Sequence, residues 1–191
     1  PANTDCQCYV GLIANGDFDS ALKLIKNKIP LPASIGRVCP HPCEKACRRG
    51  KVAEPINIVQ LKSFAADLDL KGDSYIPETA EKTGKKVAIV GGGPAGLTAA
   101  YYLAQLGLEV TVFDMMDKMG GMLRYGIPQY RLPKEVLDSE IKIIEKTGVR
   151  FCNNVKLGRD ITNENLKSVN DAVILAPGAW KSTPMRDKGE D

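Results

Sequence analysis

The sequence has little charge of one sign, a single histidine and no long apolar run. Its net charge is only +3 over 191 residues, which argues against a nucleic-acid-binding protein. The short basic cluster Arg48, Arg49 and Lys51 is interpreted as a solvated segment. No apolar stretch reaches the roughly 18 residues of a membrane-spanning helix, and the N-terminus lacks a signal-peptide pattern. These absences predict a cytoplasmic protein with neither nucleic-acid nor membrane partners.

No internal repeat, low-complexity stretch, acid–base pair or nucleophile stands out either. Hydrophobic residues make up 43% and charged residues 26% of the chain, which is an ordinary globular balance. The length suits one ordinary domain or two small ones. Because the chain begins with Pro1 rather than Met and ends on the charged run 186–191, we expect a fragment or a processed chain.

Cysteine, in contrast, is concentrated in the first quarter of the chain. Cys39, Cys43 and Cys47 follow a C-x₃-C-x₃-C spacing in GRVCPHPCEKACRRG. Clustered thiolates in a chain with cytosolic features predict an iron–sulfur cluster or zinc rather than disulfides. His41 offers a fourth zinc ligand, although its place between two prolines favours a packing role.

The other cysteines receive no single role. Cys6 and Cys8 either complete a cluster or are spare thiols, and Cys152, at a strand start, is expected to be a buried core thiol.

Residues 1–72 are predicted to form a small helical unit. One helix is expected over 17–27, with Asp17 as its N-cap and prolines 30 and 32 closing it. A second is expected over 56–70, with one apolar face that contains Ile58, Leu61, Phe64, Ala65 and Leu68. The unit has little core of its own, so a bound cluster could supply stability. Residues 73–84 are polar and contain Gly and Pro, which indicates a linker.

From residue 85 the pattern alternates between strand and helix. Strands are predicted over 86–90, 109–114, 149–152 and 171–176, and helices over 95–106, 134–147 and 161–169. A long loop is predicted over 115–133. This order implies parallel strands joined by crossover helices. The predicted fold class is α/β, with an all-helical unit followed by a Rossmann-like unit over 85–191.

A glycine-rich turn lies between the first predicted strand and its helix. The stretch VAIVGGGPAGL places Gly91, Gly93 and Gly96 in a G-x-G-x-x-G pattern. In this context the three glycines allow a tight turn, close approach of a pyrophosphate and close helix–strand packing. Asp114 ends the second strand, 18 residues after Gly96, where a carboxylate accepts hydrogen bonds from ribose hydroxyls. A basic pocket for a 2′-phosphate is not predicted here.

Further features favour FAD over NAD at this turn. One is the Pro94-Ala95 pair, and another is the second glycine pair, Gly120-Gly121, in DMMDKMGGMLRYGIP. This stretch resembles flavoproteins with two dinucleotide-binding domains, in which it lies along the flavin pyrophosphate and ring. The resemblance makes Arg124 a candidate phosphate or flavin contact.

Two more positions are predicted to approach the cofactor. Val155, after the third strand, is included in the predicted site. The last strand, DAVILAPGAW, resembles the A-T-G strand end of the same flavoproteins. Pro177 replaces the threonine and removes a backbone donor, whereas Gly178 still permits close approach.

Both motifs together resemble one family. GRVCPHPCEKACRRG, then EPINIVQLKSFAAD and VAIVGGGPAGLTAAYYL, are similar to the small (beta) subunit of NADPH-dependent glutamate synthase. They are also similar to dihydropyrimidine dehydrogenase and related ferredoxin-linked NAD(P)H oxidoreductases. The resemblance implies a helical domain that holds 4Fe–4S clusters and exchanges electrons with FAD. It also implies NAD(P)H as a substrate of the full-length protein and a large catalytic or ferredoxin-type partner subunit.

The chain departs from this family at two points. Relatives use Gln or Glu as a cluster ligand after the INI sequence, where this chain has Lys62, with Gln60 as a neighbouring alternative. Relatives also continue into an inserted NADPH-binding domain, whereas one glycine loop occurs here. Two alternatives therefore stay open: a non-enzymatic, zinc-stabilised docking module, and an inactive fragment of the oxidoreductase.

Overall fold

The computed structural model describes residues 2–181. A helical N-terminal region precedes a Rossmann-like sheet flanked by helices, which confirms the predicted α/β class. The N-terminal region also contains a 3₁₀ turn over Arg48–Lys51. Its helices are α1 (Cys6–Ala14), α2 (Phe18–Lys26), α3 (Pro32–Val38), α4 (Pro42–Lys45) and α5 (Ile58–Lys71).

Side-chain caps fix where the first helices begin. The backbone N–H of Ser20 donates to Asp17 Oδ1 at 3.1 Å, as predicted for α2. Asp5 caps α1 in the same way. Proline 32 begins α3, because the first helical position needs no N–H donor. The sequence analysis used this proline only as a helix end, and α3 was therefore missed.

The buried face of α5 differs from the predicted one. Phe64 and Leu68 are 50% and 38% exposed, whereas Lys62 and Ala66 are buried. The reason is that α5 contacts α1 and α2 as well as α3. Gly36 lets α3 approach closely, since a Cβ there would lie 1.9 Å from Ser63 Oγ. A helix covered on two sides has no single apolar stripe.

The sheet contains four parallel strands within residues 2–181, in the order β3-β2-β1-β4. They are β1 (Lys86–Val90), β2 (Glu109–Phe113), β3 (Arg150–Cys152) and β4 (Ala172–Leu175). The helices of this unit are α6 (Pro94–Gln105), α7 (Met122–Tyr125), α8 (Lys134–Lys146) and α9 (Asn163–Val169). All four strands and the three longer helices were predicted, and α7 interrupts the predicted loop. Parallel pairing brings the carboxyl ends of β1, β2 and β4 to one edge.

The core of this unit lies between the sheet and α6 and α8. Ile89, Val112, Leu97 and Ile144 are fully buried there. Cys152 ends β3 and is half-buried rather than the core thiol that we expected.

The helical and Rossmann-like units are packed together. Leu31, just before α3, is buried in the same core as the sheet residues. The predicted linker also lies on the Rossmann-like unit, because the N–H groups of Ala80 and Thr83 donate to Gln105 O and Gly107 O. The division into 1–72, 73–84 and 85–191 stays a prediction. Within residues 2–181, no helix is long and apolar enough to cross a membrane.

Candidate functional site

The glycine turn after β1 is shaped by two close backbone contacts. Gly91 has a φ of +110°, and a Cβ there would lie 2.1 Å from Ala176 O on the strand end beside it. A Cβ at Gly96 would lie 1.8 Å from Gly91 O. Both glycines are therefore required by the protein itself, for the tight turn and for the packing of α6 against β1.

Gly93 has a different environment. It precedes α6 as the N-cap, with φ −79° and ψ −174°, which is ordinary extended backbone. The nearest atom to a Cβ at this position is Gly121 Cα, at 3.7 Å. No contact within the described chain requires glycine here. The space beside it faces the start of α6, where the N–H groups of Ala95 and Gly96 have no partner within the helix, whereas Leu97 N–H donates to Gly93 O at 2.9 Å.

Asp114 connects the end of β2 to the glycine turn. Its carboxylate is buried and accepts a hydrogen bond from Gly92 N–H at 2.5 Å through Oδ2. Its Oδ1 accepts a second from Met116 N–H at 2.8 Å. Each oxygen keeps a lone pair that can accept another donor. The carboxylate thus orders the turn and remains able to accept a ribose hydroxyl.

Two adjoining cavities open at this edge of the sheet. Their volumes are about 170 and 230 Å³, and both are lined by Gly91, Asp114, Pro177 and Trp180. Most of the predicted cofactor residues line one or both cavities: Gly91, Gly93, Pro94, Ala95, Asp114, Gly121, Val155 and Gly178. The structure therefore brings together residues that lie as far apart in sequence as the glycine turn and the end of β4.

The other three predicted residues lie outside the lining. Gly96 packs against β1, and Gly120 N–H donates to Gly92 O at 2.7 Å. Arg124 Nε donates to Met119 O at 2.6 Å, and its guanidinium pairs with Asp138 on α8. In this arrangement Arg124 holds the loop after β2 in place, and its contact with a phosphate or flavin stays a prediction.

Trp180 is a lining residue that the sequence analysis did not assign. Its indole N–H donates to Pro177 O at 2.9 Å, and its ring lies 5.8 Å from the Tyr125 ring. Met122 also lines the cavity between the glycine pair and β4. A large aromatic residue in the segment that follows β4 was the available signal for Trp180.

The cysteine loop places its three predicted ligands at successive turns. Cys39 follows α3, Cys43 lies in α4, and Cys47 precedes the 3₁₀ turn; all three are half-buried. Among residues 2–181, no three His, Cys, Asp or Glu side chains converge as a ready metal site. The donor chemistry, three free thiols within nine residues, still fits a thiolate-ligated cluster.

Backbone N–H groups surround Cys47. Those of Ile56 and Arg49, and to a smaller extent that of Gly50, lower the pKa of the thiol. A lowered pKa favours the thiolate, which is the form that binds metal. The role of Cys47 as a ligand stays a prediction.

Cys6, at the start of α1, lies near Cys43 of the cysteine loop. Burial raises the pKa of the Cys43 thiol, and the nearby Cys6 and Cys39 raise it further. Burial raises the pKa of the Tyr9 hydroxyl, and the nearby Cys6 raises it further. Cys6 and Cys43 also pack against the same hydrophobic cluster of the helical unit, and the role of Cys6 stays a prediction.

His41 is directed towards Glu44 rather than towards a cysteine. It has a left-handed φ of 59°, and its Nδ1 lies 3.0 Å from Glu44 Oε2. Glu44 Oε1 in turn accepts Val59 N–H at 2.9 Å, at the start of α5. This arrangement fits the packing role that we expected. Lys62 is buried in α5, and Gln60 is exposed.

Two protein families match the chain. Residues 1–73 match the family described as dihydropyrimidine dehydrogenase domain II, 4Fe-4S cluster, and residues 89–150 match the NAD(P)-binding Rossmann-like domain. These matches confirm the predicted classes of cofactor, an iron–sulfur cluster and a dinucleotide.

Curated relatives match nearly the whole chain. The beta subunit of the NADPH-Fe(3+) oxidoreductase of Geobacter sulfurreducens is 44% identical over 100% of this chain and 29% of its own length. The NADPH glutamate synthase small chain of Bacillus subtilis is 39% identical over 94% of this chain and 37% of its own. Subunit PreT of the NAD-dependent dihydropyrimidine dehydrogenase of Escherichia coli is 41% identical over 93% and 44%.

The chain thus spans less than half the length of these relatives. Both motifs occur in one order, on the predicted helical and Rossmann-like units. Over nearly its whole length, the chain is similar to subunits of NAD(P)H oxidoreductases, among them the glutamate synthase small chain and the dihydropyrimidine dehydrogenase subunit.

Proposed function

We propose that this chain is an electron-transfer module that binds FAD at the edge of its sheet and a 4Fe–4S cluster at its cysteine loop. The observation that carries the proposal is the pair of adjoining cavities, where the glycine turn, Asp114 and the end of β4 meet. Cofactors supply the redox chemistry, and the protein binds and orients them.

The glycine turn would hold the FAD pyrophosphate. Gly93 leaves open space in front of the first turn of α6, whose N–H groups and dipole favour an anion. Gly121 lies against Gly93, since a Cβ on Gly121 would be 2.7 Å from Gly93 Cα. This close packing of two glycine segments keeps side chains out of the pyrophosphate position.

Asp114 supports FAD rather than NADPH as the dinucleotide at this turn. Its buried carboxylate lies where the ribose of a dinucleotide is bound in Rossmann-like folds. An anionic group at that place accepts a 2′-hydroxyl and repels a 2′-phosphate. The larger cavity, which Val155 lines, extends the site beyond the position proposed for the pyrophosphate. FAD, the larger of the two ligands, needs this additional space.

A flavin titration tests this part of the proposal. The chain contains one tryptophan, and Trp180 lines both cavities, so its fluorescence is a direct reporter of occupancy. We expect FAD to quench Trp180 emission saturably and NADPH at the same concentration to leave it unchanged. Equal quenching by both ligands would contradict the assignment.

The cluster would be held by Cys39, Cys43 and Cys47, with Cys6 as a further thiolate donor. Cys6 and Cys39 both lie close enough to Cys43 to raise the pKa of its thiol. The N–H groups around Cys47 stabilise its thiolate. A zinc site of three cysteines and His41 is disfavoured because His41 Nδ1 contacts Glu44 instead, whereas a zinc site of four thiolates is distinguished from a cluster by its lack of sulfide.

Cysteine replacement tests the ligand set. After anaerobic reconstitution, we expect Cys6→Ala, Cys39→Ala and Cys43→Ala to lower bound iron and sulfide, and the matched variant Cys152→Ala to retain both. One equivalent of zinc without sulfide in the unaltered protein would favour the docking module.

In the full-length protein, NAD(P)H would be the electron source or acceptor, as the names of the relatives state for those proteins. Several of these relatives are subunits, which supports a larger assembly with a catalytic or ferredoxin-type partner. A cytoplasmic location is proposed with it, because reduced thiols are maintained there.

A further inference from the structure

Helix α3 carries the cysteine loop and is anchored in the Rossmann-like unit. Leu31 precedes the helix and is buried in the core of that unit, and Ile35 and Val38 pack against the same core. Cys39 follows at the C-cap, where its N–H donates to Ile35 O at 3.0 Å. The position of Cys39 is therefore set by the position of α3.

The first turn of α3 is capped by a residue of the Rossmann-like unit. Its N-cap residue, Leu31, has no side chain that can accept a hydrogen bond. Instead, Glu140 on α8 accepts Ala33 N–H at 2.7 Å through Oε1 and Ser34 N–H at 2.9 Å through Oε2. One carboxylate thus satisfies two of the N–H groups that a helix leaves without partners at its start.

Glu140 is almost fully buried, at 2% exposure. Burying a carboxylate is unfavourable in free energy unless the group is hydrogen-bonded. An N-cap side chain at the surface would satisfy the same N–H groups of α3 without this desolvation. The capping atoms are more than 100 residues apart in sequence, so the bond is a link between units. Its geometry fixes α3 along its own axis, whereas the apolar contacts alone permit sliding because they are non-directional.

We propose that Glu140 is a positioning residue for electron transfer. It fixes α3, and with it the start of the cysteine loop, against the unit that binds the dinucleotide. It thereby sets the separation between the two cofactors, and electron transfer slows steeply as that separation grows. The effect on electron transfer rests on the proposed function, whereas the fixing of α3 by Glu140 does not depend on any cofactor.

The test compares Glu140→Gln with Glu145→Gln. The two positions lie on the same helix, and Glu145 is exposed, so the control carries the same chemical change at the surface. A glutamine has one acceptor oxygen, and its amide NH₂ would face the second N–H of α3. In cofactor-free protein at about pH 8.5, where Glu140 is ionised, we expect amide hydrogen exchange over 33–43 to rise about tenfold or more in E140Q, as for one lost charge-assisted hydrogen bond. Exchange over 94–105 should stay unchanged.

The second readout is the rate at which photoreduced FAD passes an electron to the oxidised cluster in reconstituted protein. We expect this rate to fall several-fold in E140Q, with the iron content, FAD content and reduction potentials of both centres unchanged. Unchanged potentials exclude a change in driving force and leave separation as the cause. Exchange and transfer rates in E140Q equal to those in E145Q would overturn the proposal.

The two readouts separate this inference from the proposed function. If the unaltered protein transfers no electron, the proposed function fails, and hydrogen exchange alone decides the role of Glu140. If E140Q does not fold, the test uses Glu140→Asp instead. Aspartate keeps the carboxylate, but its side chain is shorter by one methylene. We expect smaller changes of the same sign in E140D, and no change in either readout would overturn the proposal.

Discussion

Replacing Gly93 by alanine should separate the stability of the glycine turn from its capacity to bind a dinucleotide. A Cβ at this position meets no atom closer than 3.7 Å, and the backbone angles are ones that alanine adopts readily. Gly93 is the position in this turn where a methyl group fits the protein yet occupies the space proposed for the pyrophosphate.

The expected magnitudes follow from these contacts. Alanine is a poorer N-cap than glycine by about 0.5–1 kcal/mol, and it lowers the entropy of the unfolded chain by about 0.4–1 kcal/mol. The two effects oppose each other, so the free energy of unfolding should change by less than about 1 kcal/mol. A displaced pyrophosphate would lose at least one charge-assisted hydrogen bond, worth about 1.5–3 kcal/mol, which lowers FAD affinity by about 10- to 150-fold.

The assay pairs urea unfolding of the cofactor-free protein with an FAD titration followed by Trp180 fluorescence. Gly11→Ala is the matched control, because a Cβ at Gly11, within α1, meets nothing within 4 Å. This variant should bind FAD like the unaltered protein. If Gly93→Ala also bound FAD with unchanged affinity, the pyrophosphate could not lie at the start of α6, and the reasoning would be refuted.

Three further predictions follow from other contacts. Gly96→Ala should destabilise the protein by about 1–3 kcal/mol in urea unfolding, because its Cβ would lie 1.8 Å from Gly91 O and force α6 away from β1. Lys26→Met should cost about 3–5 kcal/mol by the same measurement, because Lys26 Nζ lies 2.7 Å from the buried carboxylate of Asp69; retained stability would contradict a native ion pair. Burial raises the pKa of Glu140 to about 7, so the folded protein binds a proton that the unfolded chain releases near pH 4.5. The contribution of Glu140 to stability should therefore be fully present below pH 4.5 and fall by about 3 kcal/mol as the pH rises to 7. The difference in free energy of unfolding between the unaltered protein and Glu140→Gln, measured at pH 5 and 7.5, isolates this contribution, and an equal difference at both pH values would disprove it.

The alternation of strand and helix made the Rossmann-like unit predictable. Each strand there is a short apolar run, and the glycine turn, Asp114 and Gly178 are local signals at strand ends. Parallel pairing then brings such ends together without further information. The predicted strands and the cofactor edge of the sheet follow directly from these patterns.

The helical unit was less predictable because its packing depends on distant contacts. Helix α3 is seven residues long and begins with a proline, and its cap comes from Glu140 rather than from a neighbouring residue. Ile58 and Ala65 are buried as predicted on α5, but Phe64 is exposed and Lys62 is buried against expectation. No local pattern reveals that another helix covers the second side of α5.

Arg124 shows that a motif does not define the contacts of a long side chain, and its contact with the cofactor stays a prediction. Its place after the second glycine pair suggested a cofactor contact, yet the guanidinium contacts Met119 O and Asp138. Trp180, in contrast, lines both cavities without being part of the glycine motif. A motif fixes the backbone path of a loop more firmly than the direction of its long side chains.

The most direct test of the central claim is the iron, acid-labile sulfide and FAD content of the unaltered chain after anaerobic reconstitution. The account predicts iron and sulfide in equal amounts together with bound FAD, all retained through gel filtration. Zinc without sulfide, or a chain that retains neither iron nor flavin, would contradict it.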